Sequence, residues 1–380
     1  MSEEDAARMA RITRAALGVA LVGAVLCTVG LFTDLHRMLV SYLFAYAVVV
    51  TIVLGCLIQV MMSHVTGAHW FVVLRRITLD LAAPMPALAL LLLPILIGVH
   101  ALYPWAEPGA LSAAAAAVVD RKRAWLNVPF FELRAVFYVT VWVVVGELLR
   151  RWSLRQDLSS GAEITATTRR LRVLSAIGLI AVGLTLTFAA FDWLMSLDPA
   201  WYSTIYGVYV FAGGFLAALA LIAVVAYAAL RGNLIVRTAV TPEHFGALGK
   251  LLLTFVIFWA YIAFSQYLII WIGDIPADTP WYLSRARGSW GVLALVVLIG
   301  QFALPFIALL SRTLKRRPRA LAVLGAWLLL MHVLDMDWLV LPAYEPHGVH
   351  PCWRDIAALL LVAGCTVATA AWRASFTPAT

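Results

Sequence analysis

The stretch FDWLMSLDPAWYSTIYGVYVFAGG, residues 191–214, joins the end of one long apolar run to the start of the next. It places two carboxylates, Asp192 and Asp198, at this junction. An ionisable side chain close to hydrocarbon is costly, so such residues commonly belong to ion or proton pathways. We therefore expect Asp192 to point into a helix bundle and exchange protons, and Asp198, which precedes Pro199, to cap the turn. The alternative is that both acids lie in the lipid headgroup region.

The composition is that of a membrane protein. The 380 residues are 63% hydrophobic and 13% charged, a balance that soluble domains do not show. Strands of a membrane barrel are about ten residues long and alternate in polarity, whereas this chain has long, continuous apolar runs. We therefore predict an all-α polytopic membrane protein with about ten transmembrane helices. The predicted helices are 15–32, 38–62, 81–102, 130–149, 173–197, 203–229, 248–272, 290–310, 320–341 and 356–371.

A short repeated motif suggests how these helices are grouped. Asp-Trp-Leu occurs at 192–194 and again at 337–339, each time before a proline. Four segments separate the copies, which fits a parallel duplication. We therefore divide a single transmembrane domain, 1–380, into four-helix bundles at 38–197 and 203–341, with flanking helices at 15–32 and 356–371. The alternative is chance similarity at interfacial helix ends, where tryptophan is common.

Two connections between the runs are long. Residues 103–127 are expected to form a helix on the outer surface or a plain solvated loop. Residues 150–172 are expected to form an arginine-rich inner linker.

The lysines and arginines indicate the orientation. With ten spans, 20 of the 28 fall at the termini and the even-numbered connections, and eight fall on the other side, where acids outnumber them. Both termini are therefore expected to be cytoplasmic. The first run has no cleavage site and is expected to stay in the mature chain. The basic residues are scattered over short loops, so no nucleic-acid partner is expected.

The cysteines argue against several cofactors. None of the four forms a CxxC or CxxCH motif. This pattern disfavours an iron–sulfur cluster, a structural zinc site and covalent haem within this chain. No metal site and no covalently bound cofactor are expected.

Polar residues inside the apolar runs are the candidates for chemistry. Glu132 and Arg134 open the fourth run, where they can cap the helix, or Arg134 can neutralise Asp192 across the bundle. His332 and Asp335 lie three apart in the ninth run and can form a proton relay on one helix face.

Hydroxyl and amide groups add to these candidates in the sixth and seventh runs. In the seventh run, Tyr261, Ser265, Gln266 and Tyr267 can line a water file, although polar groups in membrane helices more often hold helices together. Tyr209 adds a hydroxyl group in the sixth run, where a tyrosine near the interface is usually an anchor.

Three strings then resemble a known family. They are the stretch at 191–214, LGKLLLTFVIFWAYIAFSQYLIIWIGDIPADTPWYL at 248–283, and LPFIALLSRTLKR at 304–316. They resemble the second large membrane subunit of bacterial alternative complex III, a quinol:cytochrome c (or other periplasmic acceptor) oxidoreductase. That subunit belongs to the polysulfide-reductase-like (NrfD-like) membrane family. The resemblance covers residues 130–345 most strongly.

The resemblance implies ten helices in two bundles and a place in the bacterial cytoplasmic membrane. It implies a sister NrfD-like subunit, an iron–sulfur subunit, c-type cytochrome subunits, small membrane subunits and a terminal oxidase as candidate partners beside membrane lipid. Iron–sulfur clusters and haem c belong to those partners, and contact with a quinone such as menaquinone is left open. A proton-conducting role would fall on Asp192, Asp198, Tyr209, Ser265, Gln266 and His332.

Two other functions stay open at this point. Ten helices with an internal repeat also suit a stand-alone secondary transporter, although the polar residues gather at the outer helix ends rather than at the midplane. A purely structural membrane scaffold is the third reading.

Overall fold

A computed structural model describes residues 3–107, 109, 111, 113–232, 241–276 and 278–376. In these ranges the chain is helical and contains no β-strand, which confirms the all-α fold class. The α-helices are α1 Glu3–Thr33, α2 Leu35–Thr66, α3 Val72–Ala82, α4 Met85–Leu91, α5 Leu93–Ile97, α6 Val99–Leu102, α7 Ala113–Arg121, α8 Val128–Leu158, α9 Ala162–Trp193, α10 Tyr206–Arg231, α11 Pro242–Gly273, α12 Thr279–Ala286, α13 Gly288–Val297, α14 Leu304–Leu310, α15 Arg312–Arg316, α16 Pro318–Val340 and α17 Trp353–Ala374.

Ten helical stretches of the described chain are long and apolar enough to cross a membrane. They correspond one by one to the ten predicted segments, but several extend further at their ends. The arginine-rich linker predicted at 150–172 is wrong, because α8 continues to Leu158 and α9 begins at Ala162. Arginine is a good helix former, so a helix continues past the hydrocarbon boundary until a stronger signal ends it. Here Gly161, with φ 56°, starts the next helix.

The third span, His69–Ile97, is broken into α3, α4 and α5, and the short helix α6 follows it. Pro84 precedes α4, Pro86 lies in its first turn, and Pro94 lies in the first turn of α5. Proline has no backbone N–H and therefore leaves carbonyl groups of the preceding turn without a donor. Tyr42 donates to Leu91 O at 2.7 Å and Tyr46 donates to Leu88 O at 3.1 Å. These α2 hydroxyls satisfy carbonyl groups next to the breaks.

We keep the names first and second bundle for the two predicted groups of four spans, 38–197 and 203–341. In the first group, α2 contacts the broken third span and α9, and α8 contacts α4 and α9. In the second group, α10 contacts α11 and α16, α11 contacts α14, and α13 contacts α16. The groups meet where α2 packs against α10. A Cβ on Gly55 would lie 2.8 Å from Gly214 O, so the glycines allow the two backbones to approach closely.

Helices α1 and α17 pack against each other at the edge of this arrangement. Helix α1 begins near the end of α10, since Arg8 Nη1 donates to Gly232 O at 2.6 Å. The opposite end of the molecule, which we call the distal end, holds the connections at 34, 103–107, 113–127, 198–205, 274–276, 278–287 and 344–352. Helix α7 lies in the longest of these connections, which agrees with the helix expected there.

Candidate functional site

Asp192 lies in a polar cluster near the distal end of the first bundle. Its side chain is buried, as the sequence predicted. Arg134 Nε donates to Oδ2 at 2.7 Å and Arg134 Nη2 donates to Oδ1 at 2.9 Å. Tyr138 donates to Oδ2 at 2.8 Å and Trp125 Nε1 donates to Oδ1 at 2.8 Å. The predicted pairing of Arg134 with Asp192 is therefore confirmed.

The arginine of this pair is held as firmly as the aspartate. Its Nη1 donates to Trp125 O at 3.1 Å, and its guanidinium lies 4.1 Å from the Trp125 ring centroid and 4.3 Å from that of Phe130. Two-point bonding between a guanidinium and a carboxylate fixes both groups and neutralises their charges. Four donors already occupy the Asp192 carboxylate. This geometry suits a permanent ion pair that joins α8 to α9 rather than a group that gains and loses a proton.

Asp335 lies in a second polar cluster, inside the other bundle. It is fully buried, and no lysine or arginine of the described chain forms an ion pair with it. Tyr209 donates to Oδ1 at 2.5 Å and Trp259 Nε1 donates to Oδ2 at 3.2 Å. The α10 and α11 helices thus supply neutral donors to an acid on α16. A carboxyl group held only by neutral donors can be protonated without leaving a buried cation alone.

Gln301 reaches this acid from the eighth span. One end of its amide group lies 3.4 Å from Asp335 Oδ2. The neighbouring groups favour the orientation in which the amide nitrogen donates to Met331 O at 3.3 Å and the oxygen accepts from Trp259 Nε1 at 3.0 Å. Gln301 therefore joins the eighth span to α11 and α16 beside the acid.

A π-helical turn positions Gln301. Residues Leu298–Ala303 form this turn between α13 and α14. Pro305 lies four residues after Gln301 and has no N–H for the Gln301 carbonyl group, so the regular helical pattern cannot continue. Trp327 Nε1 donates to Gly300 O at 2.7 Å and satisfies a neighbouring carbonyl group. Such turns are frequent at functional sites because they redirect one side chain within a helix.

His332 lies one turn before Asp335 on α16 and is also buried. Its Nε2 lies 3.0 Å from Thr51 Oγ1, which joins α16 to α2. The Thr51 hydroxyl hydrogen is directed to Ala47 O at 2.7 Å, so Thr51 accepts from His332 Nε2–H. His332 Nδ1 is then an acceptor, and it has no partner among the described residues.

Gly213 lies directly beside both groups. A Cβ built on Gly213 would lie 3.2 Å from Asp335 Oδ2 and 3.5 Å from His332 Nδ1. Both atoms are acceptors when Asp335 is ionised and His332 is neutral. The two predicted relay residues therefore both lie next to Gly213 on α10.

Arg285 is a buried cation at the distal end, in the last turn of α12. Its guanidinium lies 3.8 Å from the Trp281 ring centroid and donates to Trp281 O and Leu339 O, both at 3.2 Å. Burial lowers the pKa of Arg285 to about 10, and the negative charge of Asp198 partly opposes this effect. Its Nε has no hydrogen-bond partner in the described structure.

The other predicted residues do not join either cluster. Asp198 is half-buried, and its backbone closes the turn, with its N–H donating to Met195 O at 3.2 Å. Glu132 and Ser265 are half-buried, and Gln266 is buried without a recorded bond to either acid.

The seventh span turns two of its tyrosines outward. Tyr261 is 64% exposed and Tyr267 is 46% exposed on α11. They therefore line no interior water file.

Several residues of the clusters were not predicted from the sequence. Tyr138 lies one turn after Arg134, and this spacing could have predicted that both side chains share a helix face. Gln301 lies four residues before Pro305, and this spacing could have predicted a break in the helix at Gln301. Thr51 and Trp259 come from other helices and gave no local signal.

Within the described residues, no group of three or more His, Cys, Asp and Glu side chains could hold a metal ion. Comparison with protein-family models finds no match, and comparison with curated proteins finds no relative.

Proposed function

We propose that this chain is a membrane subunit of a quinol:acceptor oxidoreductase of the alternative complex III type, and that its second bundle transfers protons through Asp335. The three strings that resemble that family, the ten spans and the buried polar clusters support the proposal. We further propose the bacterial cytoplasmic membrane as its location, with both termini in the cytoplasm, on the basis of the lysine and arginine distribution.

One observation carries the proton-transfer part. Asp335 is a buried acid bonded only by neutral donors, and it lies with His332 Nδ1 beside Gly213. Asp335 therefore gains and loses a proton in our proposal, and His332 is the neighbouring group able to exchange one with it. Thr51 fixes the imidazole, so Nδ1 stays directed toward Gly213.

Electron transfer belongs to partner subunits in this proposal, and quinol chemistry is placed there too. A cavity inside the first bundle has a volume of about 20 Å³, which is too small for a quinone ring. Another, of about 310 Å³, is lined by residues of the segments 121–126 and 191–202. Asp335 and His332 line neither of these cavities.

The test uses the complex isolated from its native membrane. Asp335→Asn keeps the size of the side chain but cannot carry a proton. We expect the variant complex to assemble with its haem-containing partners and to release fewer protons per electron in vesicles. Wild-type proton release from the variant would disprove the role of Asp335, and a wild-type chain that purifies without any haem absorbance would disprove the place in a redox complex.

Asp274→Asn is the matched control for this experiment. Asp274 is an exposed acid at the distal end, and its φ of 43° is in the left-handed region that asparagine also tolerates. The substitution removes the same charge far from the cluster. Proton release should therefore stay at the wild-type level.

A stand-alone transporter is the second candidate, because the third span is broken like the discontinuous helices of transporters. Tyr42 and Tyr46 already bond carbonyl groups at these breaks, so the breaks offer fewer free ligands than in a substrate site. Proton-coupled solute uptake by vesicles that contain only this chain would favour the transporter.

A further inference from the structure

A cavity of about 310 Å³ lies at the distal end, between the segment after α7 and the connection from α9 to α10. Its volume is in the range of small-molecule sites. Trp125 and Tyr202 line it and are 39% and 62% exposed. Exposed tryptophan and tyrosine at the ends of membrane spans are typical of the membrane–water interface. The cavity therefore lies at the level of lipid headgroups.

The charged groups of this cavity are basic. Arg121 and Lys122 line it, and no acidic side chain of the described residues does. Lys122 Nζ donates to Pro199 O at 2.7 Å and lies 5.4 Å from the Tyr202 ring centroid, so the ammonium group is held at the wall. Arg121, Lys122 and Arg123 are three of only eight basic residues at the distal end. The cavity is thus a local positive site on a side where acids predominate, and the charge of Asp198 acts on Lys122.

Trp201 adds a fixed donor to the cavity wall. The residue is 2% exposed, and its Nε1 has no partner in the described chain. Its ring stacks on Trp281 with centroids 4.2 Å apart and planes at 10°. The guanidinium of Arg285 lies 3.8 Å from the same Trp281 centroid and therefore occupies the opposite face. A buried indole N–H in such a fixed stack requires an acceptor.

An apolar surface continues from the cavity along α9. Phe191 lines the cavity, and Phe188, Leu184 and Ile180 follow at intervals of three and four residues. These three side chains are 39%, 57% and 68% exposed. Residues at this spacing share one helix face. In a membrane span, this face is in contact with lipid chains.

We propose that the cavity binds the phosphate headgroup of an anionic phospholipid, with an acyl chain along the outer face of α9. The phosphate oxygens accept from Arg121, Lys122 and Trp201 Nε1. The apolar face of α9 explains why a lipid, rather than a free anion, occupies the site. Clusters of basic residues at the ends of membrane spans attract anionic lipids by about 1 kcal/mol per residue, so loss of two should weaken binding about 25-fold.

The experiment measures retention of phosphatidylglycerol on the detergent-solubilised full chain by native mass spectrometry. Phosphatidylcholine, which has no net charge, is the comparison lipid. The Arg121→Gln/Lys122→Gln variant should retain phosphatidylglycerol about 25-fold less well than the wild type and phosphatidylcholine equally. Trp201→Phe keeps the ring stack and removes only the donor, so retention should fall while the melting temperature does not change.

Arg123→Gln is the matched control, because Arg123 belongs to the same basic run but does not line the cavity. It should retain phosphatidylglycerol at the wild-type level. Equal losses in Arg123→Gln and the double variant would overturn the proposal and indicate general surface attraction. Displacement of phosphatidylglycerol by 10 mM inorganic phosphate alone would assign the site to a free anion, and displacement by a short-chain quinone would assign it to a redox ligand; either result overturns the lipid assignment.

Discussion

Arg134 and Asp192 form a two-point ion pair between α8 and α9, with Nε–Oδ2 at 2.7 Å and Nη2–Oδ1 at 2.9 Å. Asp335, the other fully buried acid, has no such partner in the described structure and is bonded by Tyr209 and Trp259. The first arrangement stabilises one charge state of the acid. The second accepts either charge state. The two bundles therefore use their buried acids differently, one for structure and the other, in our proposal, for proton transfer.

Loss of the first pair should destabilise the protein. Asp192→Asn leaves the Arg134 guanidinium buried without a negative partner. Breaking a buried ion pair in this way costs about 3 kcal/mol in free energy of unfolding. We expect a clear fall in the melting temperature of the detergent-solubilised chain, measured by circular dichroism.

Glu132→Gln is the control for this prediction. Glu132 lies on the same helix, two residues from Arg134, and forms no ion pair in the described structure. It should melt within a degree or two of the wild type. A wild-type melting temperature for Asp192→Asn would mean that the ion pair contributes little to folding.

A methyl group added at Gly213 should slow proton transfer without affecting assembly. In Gly213→Ala the new methyl group lies 3.2 Å from Asp335 Oδ2 and 3.5 Å from His332 Nδ1, so it must displace Asp335 slightly and changes the geometry of the two groups. Positioned acid and base groups typically accelerate a proton transfer by about 100-fold or more. We therefore expect proton-coupled turnover to fall about tenfold, which corresponds to a rise of about 1.4 kcal/mol in activation free energy. Quinol-dependent acidification outside vesicles measures it.

Gly183→Ala serves as the control for the glycine substitution itself. Gly183 lies in the fifth span, and a Cβ there meets nothing within 4 Å. Both changes remove a helix-interior glycine and gain the same helix propensity, but only Gly213→Ala crowds the Asp335 cluster. If Gly213→Ala turns over as fast as Gly183→Ala, the geometry of Asp335 and His332 at this position does not control proton transfer.

The ten spans could be predicted from the sequence because apolar runs of this length are typical of transmembrane helices and rare in soluble domains. It also predicted the partner of Asp192, because Arg134 was a charge deep in the facing helix. The repeated Asp-Trp-Leu motif did not show which acids are buried. The first copy contains the paired Asp192, whereas its counterpart Asp337 is only half-buried, and the fully buried acid is Asp335, two residues earlier.

The composition of the Asp335 cluster could not be predicted from local patterns. Its members come from five spans, with Thr51 on α2, Trp259 on α11 and Gln301 on a π-helical turn. Helical periodicity shows which residues share a face, but it does not show which helices face each other. Polar groups of α11 illustrate this limit, since Tyr261 is exposed although it looked like a candidate for the interior.

Close packing of small residues should hold α1 in place. A Cβ on Gly23 would lie 2.4 Å from Leu361 N, so Gly23→Ala must push α1 away from α17. Overpacking of this kind costs about 1–3 kcal/mol. We expect faster protease cleavage at the arginines of α1 in the detergent-solubilised protein. Gly18→Ala on the same helix meets nothing within 4 Å and should be cleaved at the wild-type rate; equal rates for the two variants would show that this contact does not hold α1.

Cys352 can test the proposed orientation. It is half-exposed in the connection before α17, whereas Cys27 and Cys56 are buried and Cys365 lies within a span. If the distal end faces outward, a membrane-impermeant maleimide should label intact spheroplasts, and Cys352→Ser should abolish the labelling. Labelling only after the membrane is permeabilised would place the distal end in the cytoplasm and reverse the topology.

Lys122 should make lipid retention depend on pH. Burial lowers the pKa of Lys122 below its ordinary range, and the nearby charge of Asp198 partly opposes this effect. The ammonium group is charged below that pKa and becomes neutral as pH rises through it. Retention of phosphatidylglycerol should therefore be constant near pH 7 and fall as the pH rises. The midpoint of this fall should lie below the ordinary lysine pKa of about 10.4. In Lys122→Arg the cation persists, so the fall should disappear; an unchanged pH profile in that variant would assign the dependence to another group.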